Sequence, residues 1–181
     1  MDSLKGKLLL ASPTLLDPNF ARAVVLVAEH GEEGAMGLVL NRPAEATVAE
    51  AAPELEQLVD PREPLYVGGP VQPNAVIVLA AFADPSAAGL LISDDVGFLS
   101  AQSELPDSVA ATERRRVFAG HAGWGPGQLE EELEREDWIV EDAERDDLFA
   151  EDAEELWSGV LTRKGGTFAL VARMPLDPSV N

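Results

Sequence analysis

The sequence predicts an α+β domain built on a mixed β-sheet. Three observations lead there: apolar strand-like runs outnumber amphipathic helical patterns, several runs are joined by tight turns, and no internal repeat or low-complexity linker divides the 181 residues. One domain spanning residues 1–181 is therefore expected.

Residues 7–12, with Leu8, Leu9 and Leu10 at the centre, read as a first buried strand stopped by Pro13. Asp17, Pro18, Asn19 and Phe20 form a turn, because Asp, Pro and Asn each favour reversal. Residues 23–28 are a second strand, too uniformly apolar for a sheet with one wet face. Residues 31–34 reverse the chain, residues 35–40 return it as a hairpin partner, and Pro43, unable to donate to a ladder, ends the pair. Thr47 caps a short helix over residues 48–52, with Glu50 placed as in a capping box; Pro53 interrupts it before another helical turn over 54–59. Residues 65–67 lead as a strand into Gly68, Gly69 and Pro70. Residues 75–82 are a strongly apolar strand and 89–93 its expected neighbour. Residues 105–112 fit helix or strand, and 116–119 read as a further central strand. Pro126 and Gly127 open a helix through Arg135, with Leu129 and Leu133 on one face, and residues 138–140 follow as a strand. The last helix, residues 153–164, has Leu156, Trp157, Val160 and Leu161 for burial, Arg163 and Lys164 in its final turn, and a stop at Gly165. Residues 167–174 are expected to close the fold as an edge strand.

The net charge of −20 is uneven: residues 130–155 hold 15 of the 33 carboxylates and only two arginines. Leu133, Trp138, Ile139, Val140, Leu148 and Phe149 punctuate this block and need burial, so it reads as the acidic outer faces of folded elements rather than a disordered tail. Such faces either keep the chain in solution or dock a basic partner. No uncharged apolar run reaches the ~18–20 residues of a membrane span, and three leucines make no signal-peptide core. The chain is expected to be cytoplasmic, with no membrane partner. Without cysteine there are no disulfides, thiolate zinc sites, iron–sulfur clusters or thiol nucleophiles. Only His30 and His121 supply imidazole, with no His-x-x-x-His spacing and no calcium loop, so neither metal nor cofactor is expected. No serine sits in a Gly-x-Ser-x-Gly frame. Catalytic residues are therefore unknown, and a role outside catalysis is expected.

The candidate ligand-binding residues are Glu29, His30, Asn41, Arg42, Gly68, Gly69, His121, Trp124 and Gln128. Arg42 presents a planar fork of donors suited to a carboxylate or other anion, and Asn41 lies beside it; alternatively Asn41 bonds local backbone and Arg42 pairs with an acid. Glu29 and His30 fall at the other end of the same hairpin, so a shared site is not implied. Gly68 and Gly69 allow close backbone approach to a neighbour or ligand. They do not open a phosphate loop, since Val71 and Gln72 stand where a lysine and a hydroxyl are needed. His121, Trp124 and Gln128 lie where a strand meets a helix start, a place that favours anions, yet Glu130, Glu131 and Glu132 already bring negative charge to that first turn. Trp124 is either a stacking platform or a core plug among glycines.

Taken together, the segments 8–13, 16–24, 29–30, 34–43, 68–71 and 122–130 resemble the YqgE/AlgH family of bacterial proteins, in order and spacing over most of the chain. The resemblance implies an α+β fold with a bifurcated mixed β-sheet, partly curled into a small barrel and surrounded by helices. It implies no known reaction; the family is often labelled a transcriptional regulator. His121 stands where relatives often carry tyrosine, and the acidic stretch after Glu130 is heavier than usual.

A non-enzymatic binding or regulatory protein acting through an unidentified protein partner is the expectation. Direct nucleic-acid binding is its poorest form, because phosphate contacts need basic surface and the only basic run is Arg114, Arg115 and Arg116. The alternative is a small-molecule sensor or enzyme with a polar cleft around His30, Arg42, His121 and Gln128.

Overall fold

Strands β1 (Lys7–Ala11), β2 (Val24–Gly31) and β3 (Gly34–Val39) form an antiparallel meander in which Leu8 faces Leu26 and Leu26 faces Leu38. The structure, a computed structural model, describes residues 1–175. The uniform apolarity of these strands has a direct cause: both faces of the sheet are covered. Leu8, Leu10, Val24, Leu26 and Leu38 point into the main core, while Leu9, Val25, Val27 and Val39 enter a second core on the opposite face.

The sheet divides at β9 (Thr112–Trp124), its longest strand. One edge of β9 carries β3, with Ala35 opposite Trp124 and Gly37 opposite Ala122. Further back the same edge carries β5 (Pro64–Val67), parallel, with Tyr66 opposite Phe118 and Val67 opposite Ala119. The other edge pairs with β6 (Val71–Phe82) over most of its length. Beyond β6 lie β8 (Val96–Leu99) and β7 (Ala88–Leu91); β4 (Pro43–Thr47) joins β5, and β10 (Trp138–Asp142) flanks β1. The order β10-β1-β2-β3-β9-β6-β8-β7, with β4 and β5 off this path, makes one ten-stranded mixed sheet among the described residues, bifurcated as expected; it stays open, with β10 and β7 at its ends, so the curl does not close a barrel.

Helices α1 (Val48–Ala51), α2 (Leu105–Ala111), α3 (Gln128–Glu134), α4 (Arg145–Leu148), α5 (Ala153–Lys164) and α6 (Thr167–Val171) complete the fold. Thr47 Oγ1 accepts the Glu50 N–H at 3.2 Å, the expected cap. Helix α5 sets Leu156, Trp157, Val160 and Leu161 into the main core, each worth roughly 1.5–3 kcal/mol of apolar burial. Trp157 Nε1 donates to the Ala11 carbonyl at 2.9 Å and ties the helix to β1. A third, thinner core of Val48, Leu58, Val78 and Val117 lies under α1.

The structure corrects several expectations. Residues 167–171 form α6 against α5, not an edge strand, because Phe168 and Val171 reach the main core by helical spacing. Pro43 opens β4 instead of ending the sheet, the strand-initial position where a missing N–H costs nothing. The chain around Gly89 pairs with β8, which lies between it and β6. Residues 105–111 are helical. His121 and Trp124 belong to β9 itself rather than to a loop after it. No helix among the described residues is long and apolar enough to cross a membrane.

Candidate functional site

The candidate residues separate into two groups at opposite ends of β3. At the hairpin end, a bulge between Val27 and Glu29 turns Glu29 to the surface. The next residue, His30, has a side chain only 4% exposed. Its Nδ1 accepts the Leu4 N–H at 2.9 Å and its Nε2 lies 2.7 Å from Glu130 Oε1. An Nδ1 that accepts places the ring proton on Nε2, so the imidazole donates to Glu130 and has no nitrogen left for a ligand or a substrate proton. The ring clips the N-terminal segment to α3.

Trp124 is equally occupied. It packs with Phe20 and Trp138 at centroid distances of 6.4 and 6.1 Å, and its Nε1 donates to Glu132 Oε2 at 2.7 Å. Trp138 Nε1 reaches the same oxygen at 2.9 Å. Gln128 Oε1 accepts the Gly125 N–H at 3.0 Å, and its Nε2 donates to Glu132 Oε1 at 3.2 Å. One carboxylate thus gathers two indoles and an amide, and the tryptophan is a plug.

The second group lies along the seam where the sheet divides. Asn41 is buried and spends both ends of its amide on backbone: Oδ1 accepts Val24 N–H at 3.0 Å and Nδ2 donates to Arg22 O at 2.9 Å. Arg42 donates to the carbonyls of Ala21 and Asn41. No carboxylate among the described residues lies within ion-pair distance of it, and burial draws its guanidinium below the usual arginine range. Gly68 and Gly69 cross against β9. The Gly68 N–H donates to Ala119 O at 2.9 Å, a Cβ on Gly68 would strike the Gly120 carbonyl, and one on Gly69, at φ +152°, would strike the His121 backbone. His121 faces Val71 across the ladder, with no side-chain hydrogen bond among the described residues.

Arg42 stands on the wall between two clefts. The first, about 350 Å³, is walled by Pro18, Pro43, Val67, Gly69, Pro70 and Pro73; the second, about 390 Å³, by Arg22, Asn41, Trp157, Ser158 and Glu154. Arg42 and Gly69 therefore meet, as do Arg42 and Asn41, whereas His30, Trp124 and Gln128 are engaged at α3. Sequence reasoning missed Arg22. Its guanidinium lies 4.5 Å over the Trp157 ring and faces the second cleft with Arg42, its backbone at φ 56°. Nothing in the residue's type or spacing signals this; the prolines of the first cleft were visible singly, but only the fold assembles them.

The basic run is spent internally. Arg114 covers the Phe149 ring at 4.9 Å and pairs with Asp146 at 2.8 Å. Arg115 donates to Leu58 O at 2.6 Å. Arg116 donates to Ala150 O at 2.7 Å, lies 4.3 Å over the Tyr66 ring, and has its pKa lowered by burial. The polar cleft beside them, about 400 Å³, also holds Asp60, Glu63, Glu113 and Glu151, so it presents no basic face.

A family model described as AlgH-like matches residues 8–169. The chain belongs to the AlgH-like family. Similar relatives include a UPF0301 protein of Streptomyces coelicolor, 40% identical over 187 residues and covering all of this chain and 97% of that one. Another, from Chlorobium limicola, is 41% identical over 180 residues, covering 97% and 95%. Among solved structures, the AlgH protein from Pseudomonas aeruginosa aligns with TM-score 0.71 at 34% identity over 96% of this chain and 95% of that one. A Corynebacterium diphtheriae protein aligns with TM-score 0.87 at 28% identity over 95% and 92%. These family members share the α+β fold, and their names specify no reaction.

Proposed function

We propose that this AlgH-like chain is a non-enzymatic binding protein that engages a protein partner at the Arg42 seam, taking an acidic side chain or terminal carboxylate of that partner between apolar walls. Arg42 carries the reading. In a chain with 33 carboxylates and 13 basic residues, a half-buried guanidinium bonded among the described residues only to carbonyls carries a positive charge with no ion-pair partner among those residues. A carboxylate arriving there gains charge-assisted bonds with little competition from water. The proline-walled cleft supplies rigid apolar contact at low entropic cost, and Val67 and Val71, each about 40% exposed, extend that surface along β5 and β6. Support for a binding role over catalysis comes from His30, whose two nitrogens are both engaged. Any regulatory effect would then pass through the partner rather than through DNA, since Arg114, Arg115 and Arg116 are committed to internal acceptors.

Affinity purification from cells, comparing wild type with Arg42→Gln and Val67→Asp, tests the reading. A partner retained by wild type and lost by both variants at unchanged melting temperature is the expected result. Identical recovery by all three chains overturns it.

A further inference from the structure

The thin third core encloses a second kind of site. Between the turns that follow α1, helix α2 and strands β6 and β8 lies a cavity of about 400 Å³ walled by Leu55, Leu58, Val76, Val78, Leu99 and Leu105. None of its lining residues is charged, whereas each of the other three clefts described above contains at least one charged side chain. Leu55, Leu99 and Leu105 are only partly buried, so the walls leave apolar surface to water instead of closing on one another. Ser108, from α2, lines this cavity and is 5% exposed. Its carbonyl accepts from Thr112 Oγ1 at 2.7 Å, but its hydroxyl has no hydrogen-bond partner among the described residues. The one side-chain polar atom both fully enclosed and unpartnered among those residues is Arg116 Nε, so the hydroxyl of Ser108, a lining residue, retains some accessible surface.

We propose that this cavity binds a small, uncharged molecule with an apolar body and a single polar group, of the alcohol, amide or ester class, oriented by the Ser108 hydroxyl. The cavity falls within the ~300–1,000 Å³ range of small-molecule sites, and an apolar wall with a few polar groups is the arrangement such ligands use; here those groups are Ser100, Ser103 and Ser108, of which Ser108 is the buried one. A charged ligand would enter a space with no counter-charge and lose its hydration there. The site is independent of the Arg42 seam.

Titration of the protein with 1-octanol, followed by backbone amide shifts and thermal melting, tests the proposal. Saturable binding is expected, with shifts confined to residues 55–58, α2, β6, β8 and the loop between β8 and α2, and with octanoate weaker by about tenfold or more. Val76→Trp and Ala101→Trp each put an indole at an exposed residue of the lining, and an unchanged melting temperature of the ligand-free variants is the check that folding is retained. Either should cut octanol affinity by about tenfold or more, while Ser108→Ala should cut it roughly three- to tenfold. Arg42→Gln should leave it unchanged. Absence of saturable binding, or wild-type affinity in both tryptophan variants, overturns the site; wild-type affinity in Ser108→Ala overturns the role of the hydroxyl.

Discussion

His30 and Glu130, one hundred positions apart, meet at 2.7 Å, and the His30 ring also accepts the Leu4 N–H. Replacing His30 with Phe strands a part-buried backbone donor and removes the partner of Glu130. A loss of about 1–3 kcal/mol in urea unfolding is expected. Glu130→Gln retains an acceptor for Nε2 and should cost less.

The same pair sets a pH dependence. The hydrogen bond from His30 holds the Glu130 carboxyl below the usual carboxylate range. A depressed acid contributes stability that is complete above its unfolded value and is lost as pH falls through its folded value. Glu130 lies at the surface, so the contribution is small and weakens with salt. Unfolding midpoints measured from pH 7 downwards should fall less steeply in Glu130→Gln than in wild type.

Glu63 is expected to behave in the opposite sense. Burial raises its carboxyl above the usual range, with Arg116 only partly offsetting the effect. The folded state thus holds the proton more tightly than the unfolded chain, and the contribution of Glu63 is lost as pH rises through its folded value. Glu63→Gln should melt above wild type at pH 7, and the difference should close as pH falls into the carboxylate range.

The Glu132 carboxylate receives the indoles of Trp124 and Trp138. Glu132→Leu leaves two part-buried N–H donors without an acceptor, at a cost of about 2–4 kcal/mol. Denaturant unfolding and a changed tryptophan emission spectrum of the folded state are the measurements; an unchanged midpoint would show that water replaces the carboxylate.

Arg116→Lys is expected to cost about 2–3 kcal/mol. An ammonium cannot reproduce the planar fork that donates to Phe149 and Ala150 while stacking on Tyr66. Chemical denaturation of the purified variant measures it.

Much of the sheet was legible because burial on both faces writes itself as uninterrupted apolar runs, as at Leu8–Leu10 and in β2. Strand β8 was not: Val96 to Leu99 contains Gly97 and only four residues, and Gly97 is required because a Cβ there would collide with the Leu90 carbonyl. Helix α6 was misread because Thr167, Phe168 and Val171 have high strand propensity, and packing against α5 overrides it. Of the candidate site, Asn41 and Arg42 stand out in the sequence by residue type and by their place at the end of a strand. The partner at Arg22 was not, because an arginine's path over Trp157 depends on where α5 docks, 135 positions later in the chain.

The pairing of β1 with β10 joins Lys7 to Asp142 across 135 positions. During synthesis, at ~5–20 residues per second, the outer edge of the triple-leucine strand waits on the order of 10 s before its neighbour emerges. An apolar strand with an open edge is a template for pairing with another chain. The nascent protein therefore carries an aggregation hazard along residues 7–11 and removes it only when residues 138–142 arrive. Chains terminated before Trp138 should be found with chaperones or in aggregates, whatever the stability of the completed fold.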